Sequence, residues 1–339
     1  VIMNKLTKIG ASALCGSLAA MSAANAGEMS VSGGVDMSWT SFPKESTGNP
    51  LGIGSNLSFA GSGEMDNGWT VALSVAHSNK NTYSNTNVTV TVPSLGAFRI
   101  SQGVSGSGID RMDDMTPTVW EEAYGAGLGS GIDTVSGVSA GANIELTPSM
   151  LPSGMTARFA WSPDVGGSAA ADKGSSESSG SVKGSGYDLT IVADGDATPD
   201  GLTIYGGLAN VDVHQNAATY SDDVTEATAG IKYAIGSFTL GYQWSKEENG
   251  RASTTTEYQN DGYGVTFAIN DDLSIGYNNY KSEQTSTTNV ETEASSVQIA
   301  YSAGGLSVRL ADQTVDNAKY STATTAQRDA TTLSVALAF

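Results

Sequence analysis

Cysteine, charge and long apolar runs are all scarce in this sequence. A single cysteine, Cys15, occurs among 339 residues, so a fold stapled by internal disulfides is excluded. Charged residues make up 15%, well below the usual quarter of a soluble domain. No apolar run reaches the roughly 18 residues that a membrane-spanning helix needs. Basic residues are outnumbered, 16 against 35 acids, which argues against nucleic-acid binding and favours attraction of cations. Histidine is limited to His77 and His214, and neither has a serine or aspartate partner at the spacing of a catalytic triad.

Other chemical motifs are missing as well. The glycine clusters "GVSGSG" and "GAGLGSG" lack the Gly-Lys-Ser/Thr and the βαβ setting of a phosphate loop. Asp194, Asp196 and Asp200 in "DGDATPDG" could offer oxygen ligands to calcium, but their spacing is not that of an EF-hand. A solvated turn is the simpler reading, and no metal or cofactor is expected.

What is present begins with "MNKLTKIGASALCGSLAAMSAANAGEMS". Lys5 and Lys8 give a positive start, Ile9 to Met21 a short apolar core, and Ala24-Asn25-Ala26 a small-residue cleavage site. The pattern predicts a signal peptide over 1–26, cleaved on export through the Sec pathway, and a single domain over 27–339. A buried N-terminal helix would be the alternative. Leu14, not a small residue, precedes Cys15, so a lipoprotein signal is disfavoured and the thiol is discarded with the leader. Losing Lys5 and Lys8 takes the basic count from 16 to 14 and the formal charge from −19 to −21.

From Gly27 onward one pattern recurs. In "LSFAGSGEMDNGWTVALSV", Leu57 and Phe59 lead into a turn at Asn67-Gly68, a strong hairpin signal. Trp69, Val71, Leu73 and Val75 then alternate with small or polar residues. Phe238 to Trp244, Tyr263 to Ile269, Leu273 to Tyr277, Val297 to Tyr301 and Leu306 to Leu310 repeat the alternation, as does the terminal "TTLSVALAF". A period of two marks strands with one apolar face. About sixteen strands result, and their connections alternate between short and long. That is the pattern of a transmembrane antiparallel β-barrel with short periplasmic turns and longer external loops. A soluble β-sandwich also has short alternating strands, but its connections would not sort by length so regularly. Trp39, Trp69, Tyr187, Phe238, Trp244, Tyr263 and Tyr277 fall in the apolar phase near strand ends, as interfacial girdles require. The polar phase is mostly Gly, Ala, Ser and Thr, which suits a water-filled lumen.

One connection, "GVSGSGIDRMDDMTPTVWEEAYGAGLGSGIDT", is far longer than the rest. Its apolar residues (Ile109, Met112, Val119, Trp120, Leu128) indicate that it packs rather than remaining disordered. "PTVWEEAY" predicts a helical turn capped by Thr116. The loop concentrates acid at Asp110, Asp113, Asp114, Glu121, Glu122 and Asp133. These are either solvated or carried into the lumen with the acids facing water. Strand phase places Arg99, Arg158, Lys232 and Arg309 on the lumen side, since a basic side chain facing lipid costs about 2–4 kcal/mol at midplane.

With the leader ending "ANAGEMSVSGGVDMSW", the "FAGSGEMDNGWTVAL" hairpin, the long third external loop and the final strand, the chain resembles the Gram-negative trimeric general porins, alphaproteobacterial ones above all. The resemblance implies a sixteen-stranded barrel in the outer membrane, a homotrimer, and a third loop folded inward as an eyelet. By position in that loop it makes Asp110, Asp113, Asp114, Glu121 and Glu122 eyelet acids. It makes Arg99 and Arg158 the leading wall bases, with Lys232 and Arg309 behind them, although a dense arginine ladder is missing. It also implies that Phe339 is read by the barrel-assembly machinery. Outer-membrane lipid and small hydrophilic solutes and ions are the remaining partners. The function expected is passive diffusion with mild cation preference. A substrate-specific channel of the same fold is the alternative, and an outer-membrane enzyme a more remote one.

Overall fold

The computed structural model describes residues 29–44, 48–79, 85–102, 106–125, 127–166, 182–213, 220–252, 257–285 and 289–338. The leader over 1–26, Cys15, His214 and Phe339 lie outside the described residues.

Sixteen strands close on themselves, each antiparallel to its neighbours. The first half comprises β1 (Met29–Ser41), β2 (Leu51–Glu64), β3 (Thr70–Ser78), β4 (Asn85–Val92), β5 (Gly96–Gln102), β6 (Asn143–Pro148), β7 (Met155–Ser162) and β8 (Lys183–Ala193). The second half comprises β9 (Leu202–Val213), β10 (Val224–Ile235), β11 (Phe238–Glu248), β12 (Glu257–Ala268), β13 (Leu273–Gln284), β14 (Glu291–Ala303), β15 (Leu306–Asp316) and β16 (Arg328–Ala338). The seam is made by β1 and β16, with Trp39 opposite Leu333 and Met37 opposite Val335. No sheet edge is left to satisfy in lipid.

The alternation read from the sequence decides which face is which. Leu333 and Leu337 of β16 are exposed on the outside, whereas Thr332 and Ser334 are buried on the inside. Likewise Leu240 and Tyr242 of β11 face outward, and Gln243 and Ser245 inward. Trp39, Trp69, Tyr187, Phe238, Tyr263 and Tyr277 are exposed, and Trp244 shares the outward phase of β11. Toward the external ends the outward positions turn ionic. Lys246 bonds Glu248 (2.8 Å) and Glu257 (3.1 Å), and Lys281 bonds Glu291 (3.0 Å). At the opposite end lies the β8–β9 turn holding Asp194, Asp196 and Asp200, where Asp196 accepts a hydrogen bond from Ser153 Oγ at 2.5 Å.

A face assignment of this kind is testable by stability. Leu240→Arg places a guanidinium in the lipid and should cost about 2–4 kcal/mol in equilibrium unfolding from detergent or bilayer. Thr239→Arg, one residue away but facing the lumen, should cost far less. Equal losses would contradict the assignment.

Candidate functional site

The β5–β6 connection does not stay outside. Residues 106–125 and 127–142 lie within the barrel, and chemistry distributed around the wall holds them there. On one flank, three inward carboxylates accept the loop's own backbone N–H groups. Glu145 of β6 takes the N–H of Gly108 at 2.8 Å, and Asp188 of β8 takes those of Ile109 (3.0 Å) and Val138 (3.1 Å). Glu226 of β10 takes those of Ser136 (2.7 Å) and Gly137 (2.8 Å). All three are buried: Glu145 is 2% exposed, Asp188 0% and Glu226 4%. A buried carboxylate is costly unless it is hydrogen-bonded. Loop amides meet that need at all three, although at Asp188 both N–H groups share Oδ2 and Oδ1 has no hydrogen-bond partner among the described residues.

Amide side chains continue the seam. Gln243 of β11 accepts from Met115 N at 2.9 Å and donates to the carbonyls of Met112 and Asp113. Tyr205 of β9 donates its hydroxyl to the same Gln243 oxygen at 3.1 Å. Gln298 of β14 accepts from the N–H groups of Trp120 (3.0 Å) and Glu121 (3.3 Å). Asn278 of β13 donates to Glu121 O at 3.2 Å, and Asn260 of β12 to Asp133 O at 2.7 Å. At the far tip Arg328 of β16 donates to the carbonyls of Leu128 and Gly129.

Apolar contacts follow the same line. Leu128 and Ala123 pack with Tyr280, Ala294, Val315 and Ala330. Val138 packs with Ala160 and Val211, and Ile109 and Val135 with Ala209. Small inward side chains let the loop approach the wall. At Gly264 of β12 the requirement is absolute, because a Cβ there would collide with the Pro117 carbonyl.

The helical turn expected at Thr116 does not form. Thr116 is buried, and its hydroxyl is hydrogen-bonded to Tyr280 OH rather than capping the chain. A 3-10 turn lies instead at Gly108–Met112.

The anchors come from β6 through β14 and from the start of β16, so the loop lines that side of the lumen. The opposite wall keeps a polar recess of about 400 Å³, lined in part by Asp36, Asn56, Ser78 and Arg309.

The five loop acids are brought together. Asp114 is an electrostatic neighbour of Asp110, Asp113, Glu121 and Glu122. Burial, reinforced by Asp114 and other carboxylates, pushes Asp113 up to about 8. Burial likewise pushes Glu122 up to about 7, with Asp114 and Glu121 adding to it. Asp110 and Glu121 are also raised, mainly by burial; for Glu121 the nearby Arg309 works against the rise.

A family model described as Gram-negative porin matches residues 10–303. The chain belongs to that family. No match is found among curated proteins. Among solved structures, Salmonella typhi OmpF in complex with daunomycin is similar with a TM-score of 0.71 at 11% identity, covering 93% of this chain and 98% of that one. A loop L8 deletion mutant of Vibrio cholerae OmpT gives 0.64 at 14%, covering 93% and 100%. A triple mutant of Rhodopseudomonas blastica porin gives 0.59 at 14%, covering 92% and 100%. At such identities these likenesses carry the fold, and the family match carries the membership. The chain is an outer-membrane porin, a channel in its fold and family.

In this porin the basic residues singled out in the sequence do not form one cluster. Arg99 (β5) and Arg158 (β7) share an electrostatic neighbourhood with Arg111 and Glu145. Arg309 (β15) pairs with Asp36 of β1 at 2.5 Å, and its guanidinium lies 5.0 Å from the Trp120 ring centroid. Lys232, on the lumen phase of β10, sits opposite Thr203 and Gly241 and has no ion pair among the described residues. His77 shares the outward phase of β3. Sequence reasoning missed Arg111 and the wall anchors Glu145, Asp188, Glu226, Gln243 and Gln298. The wall anchors' one visible signal is a large polar residue in an inward phase rich in Ala, Ser, Thr and Gly; Arg111, on the loop, has none.

Proposed function

We propose that this porin passes small hydrophilic solutes and ions passively, with a mild preference for cations. The observation that carries the reading is the gathering of Asp110, Asp113, Asp114, Glu121 and Glu122 on one inward loop, where they act as the eyelet's acidic edge. Arg309 on the wall is matched by Asp36, and Arg111 on the loop by Glu145, so the lumen offers less free positive charge than its arginine count suggests. A fixed negative field at a narrow point raises the local concentration of cations. The mature chain in this reading starts after residue 26, follows the Sec route, and assembles as a homotrimer whose final Phe339 serves barrel assembly.

The test is electrical. Purified protein in planar bilayers under a KCl gradient should give a reversal potential of the sign of potassium preference. Currents should appear and vanish in groups of three equal steps. A chloride-selective reversal potential would overturn the charge argument, and isolated single steps would overturn the trimer.

A further inference from the structure

The arginines at the root of the loop are out of balance. Across β5 and β6, Arg99 stands directly opposite Glu145. Across β6 and β7, Glu145 stands opposite Ala160, two residues from Arg158 on the same lumen-facing phase, a diagonal separation that long side chains bridge. Arg111 reaches in from the loop and holds Glu145 with both ends of its fork, Nη2 to Oε1 at 2.6 Å and Nε to Oε2 at 3.2 Å. The Glu145 Oε2 also takes the Gly108 N–H, so its capacity is largely used. Arg99 spends one N–H on the Gly106 carbonyl at 2.9 Å. Arg158 has no hydrogen bond or ion pair among the described residues.

Three guanidinium groups therefore surround one carboxylate that is already engaged. Of the other acids, Asp188 of β8 stands diagonal to Arg158 but takes the Ile109 and Val138 N–H groups on one oxygen. Asp110, on the Arg111 side, turns one oxygen to the Gly106 N–H. Elsewhere in the lumen Arg309 is matched one to one. The excess faces water, because Arg99 and Arg158 are partly exposed while their strands put them inside the barrel.

We propose that Arg99, Arg111 and Arg158 form a subsite for an oxyanion, a phosphate or carboxylate carried by a passing solute. Arg158 supplies the free fork, Arg99 the second contact, and Glu145 fixes Arg111 so that its remaining edge is presented. Guanidinium forks match planar carboxylate and tetrahedral phosphate oxygens in bidentate fashion. The site sits on the wall behind the loop's root rather than across the opening from its acids. The channel thus repels anions in bulk but holds one transiently at this point. The inference rests on the reading above only in taking the lumen to be water-filled.

The experiment uses inorganic phosphate as the probe in single-channel recordings at fixed KCl. Phosphate should lower the native current or raise its noise in a saturable way, at concentrations where uncharged glycerol has no effect. Arg158→Ala should raise the half-effect concentration by at least about tenfold, the loss of one charge-assisted contact, with Arg158→Lys intermediate. Lys232→Ala, which removes a luminal charge outside the three, should leave the effect intact. Titration calorimetry of the native protein and Arg158→Lys in detergent, with phosphate, covers the case in which Arg158→Ala does not assemble. An equal phosphate effect in native and Arg158 variants, or an equal loss in Lys232→Ala, overturns the subsite. The reversal potential without phosphate reports ion preference separately, so either proposal can fail while the other stands.

Discussion

Asp188→Ala should give a channel that is wider and noisier than the native one. The Asp188 carboxylate holds Ile109 at the start of the inward loop and Val138 at its return, in a site with no exposure to solvent. Removing it orphans two buried N–H groups, each bond to a charged acceptor being worth about 1.5–3 kcal/mol. A loss on the order of 3 kcal/mol or more shifts the docked-to-undocked ratio of the loop by roughly a hundredfold. The barrel ladder is untouched, so the thermal transition of the strands should move little while unitary conductance and current noise rise. Asp188→Asn keeps one carbonyl acceptor and should fall between. Native conductance in Asp188→Ala would mean that Glu145, Glu226 and the amides suffice.

The second large effect is on pH. Asp113 and Glu122 are pushed up to about 8 and about 7 by burial among neighbouring carboxylates. A raised carboxyl pKa means that the acid is neutral below that value and charged above it. The loop edge is therefore most negative near pH 9 and loses charge as pH falls through 8 and then 7. Cation preference, measured as reversal potential under a KCl gradient, should weaken over that window. Because the acids interact, the change should be broad rather than two separate steps. The double variant Asp113→Asn, Glu122→Gln should show a flat profile at the weaker preference. A preference that holds steady or grows on acidification would contradict this.

These expectations rest on features of unequal visibility in the sequence. The strand faces were legible, because lipid demands apolar side chains at every second position and the lumen does not. That the long loop packs was legible from Ile109 and Leu128, whereas its inward course followed from the family resemblance and not from these residues alone. The anchors were not legible. Alternation shows that Asp188 or Gln243 points inward, but not that Val138 N or Met112 O will be waiting fifty or more positions away in sequence. Thr116-Pro117 carried a sound local capping signal that lost to a tertiary partner, Tyr280. Arg111 was hidden because a loop residue has no phase, and only the folded loop sets it against Glu145.

The Arg328 clamp has a consequence for the order of assembly. Its partners Leu128 and Gly129 precede it by 200 and 199 residues, and β16, which it opens, is also the strand that seals the seam with β1. The tip of the loop therefore gains its Arg328 contacts only once the last strand has arrived. Contacts of such separation form late, since the chain entropy they cost is recovered only at the end. An assembly intermediate stalled before the seam closes would have a wall without a finished filter.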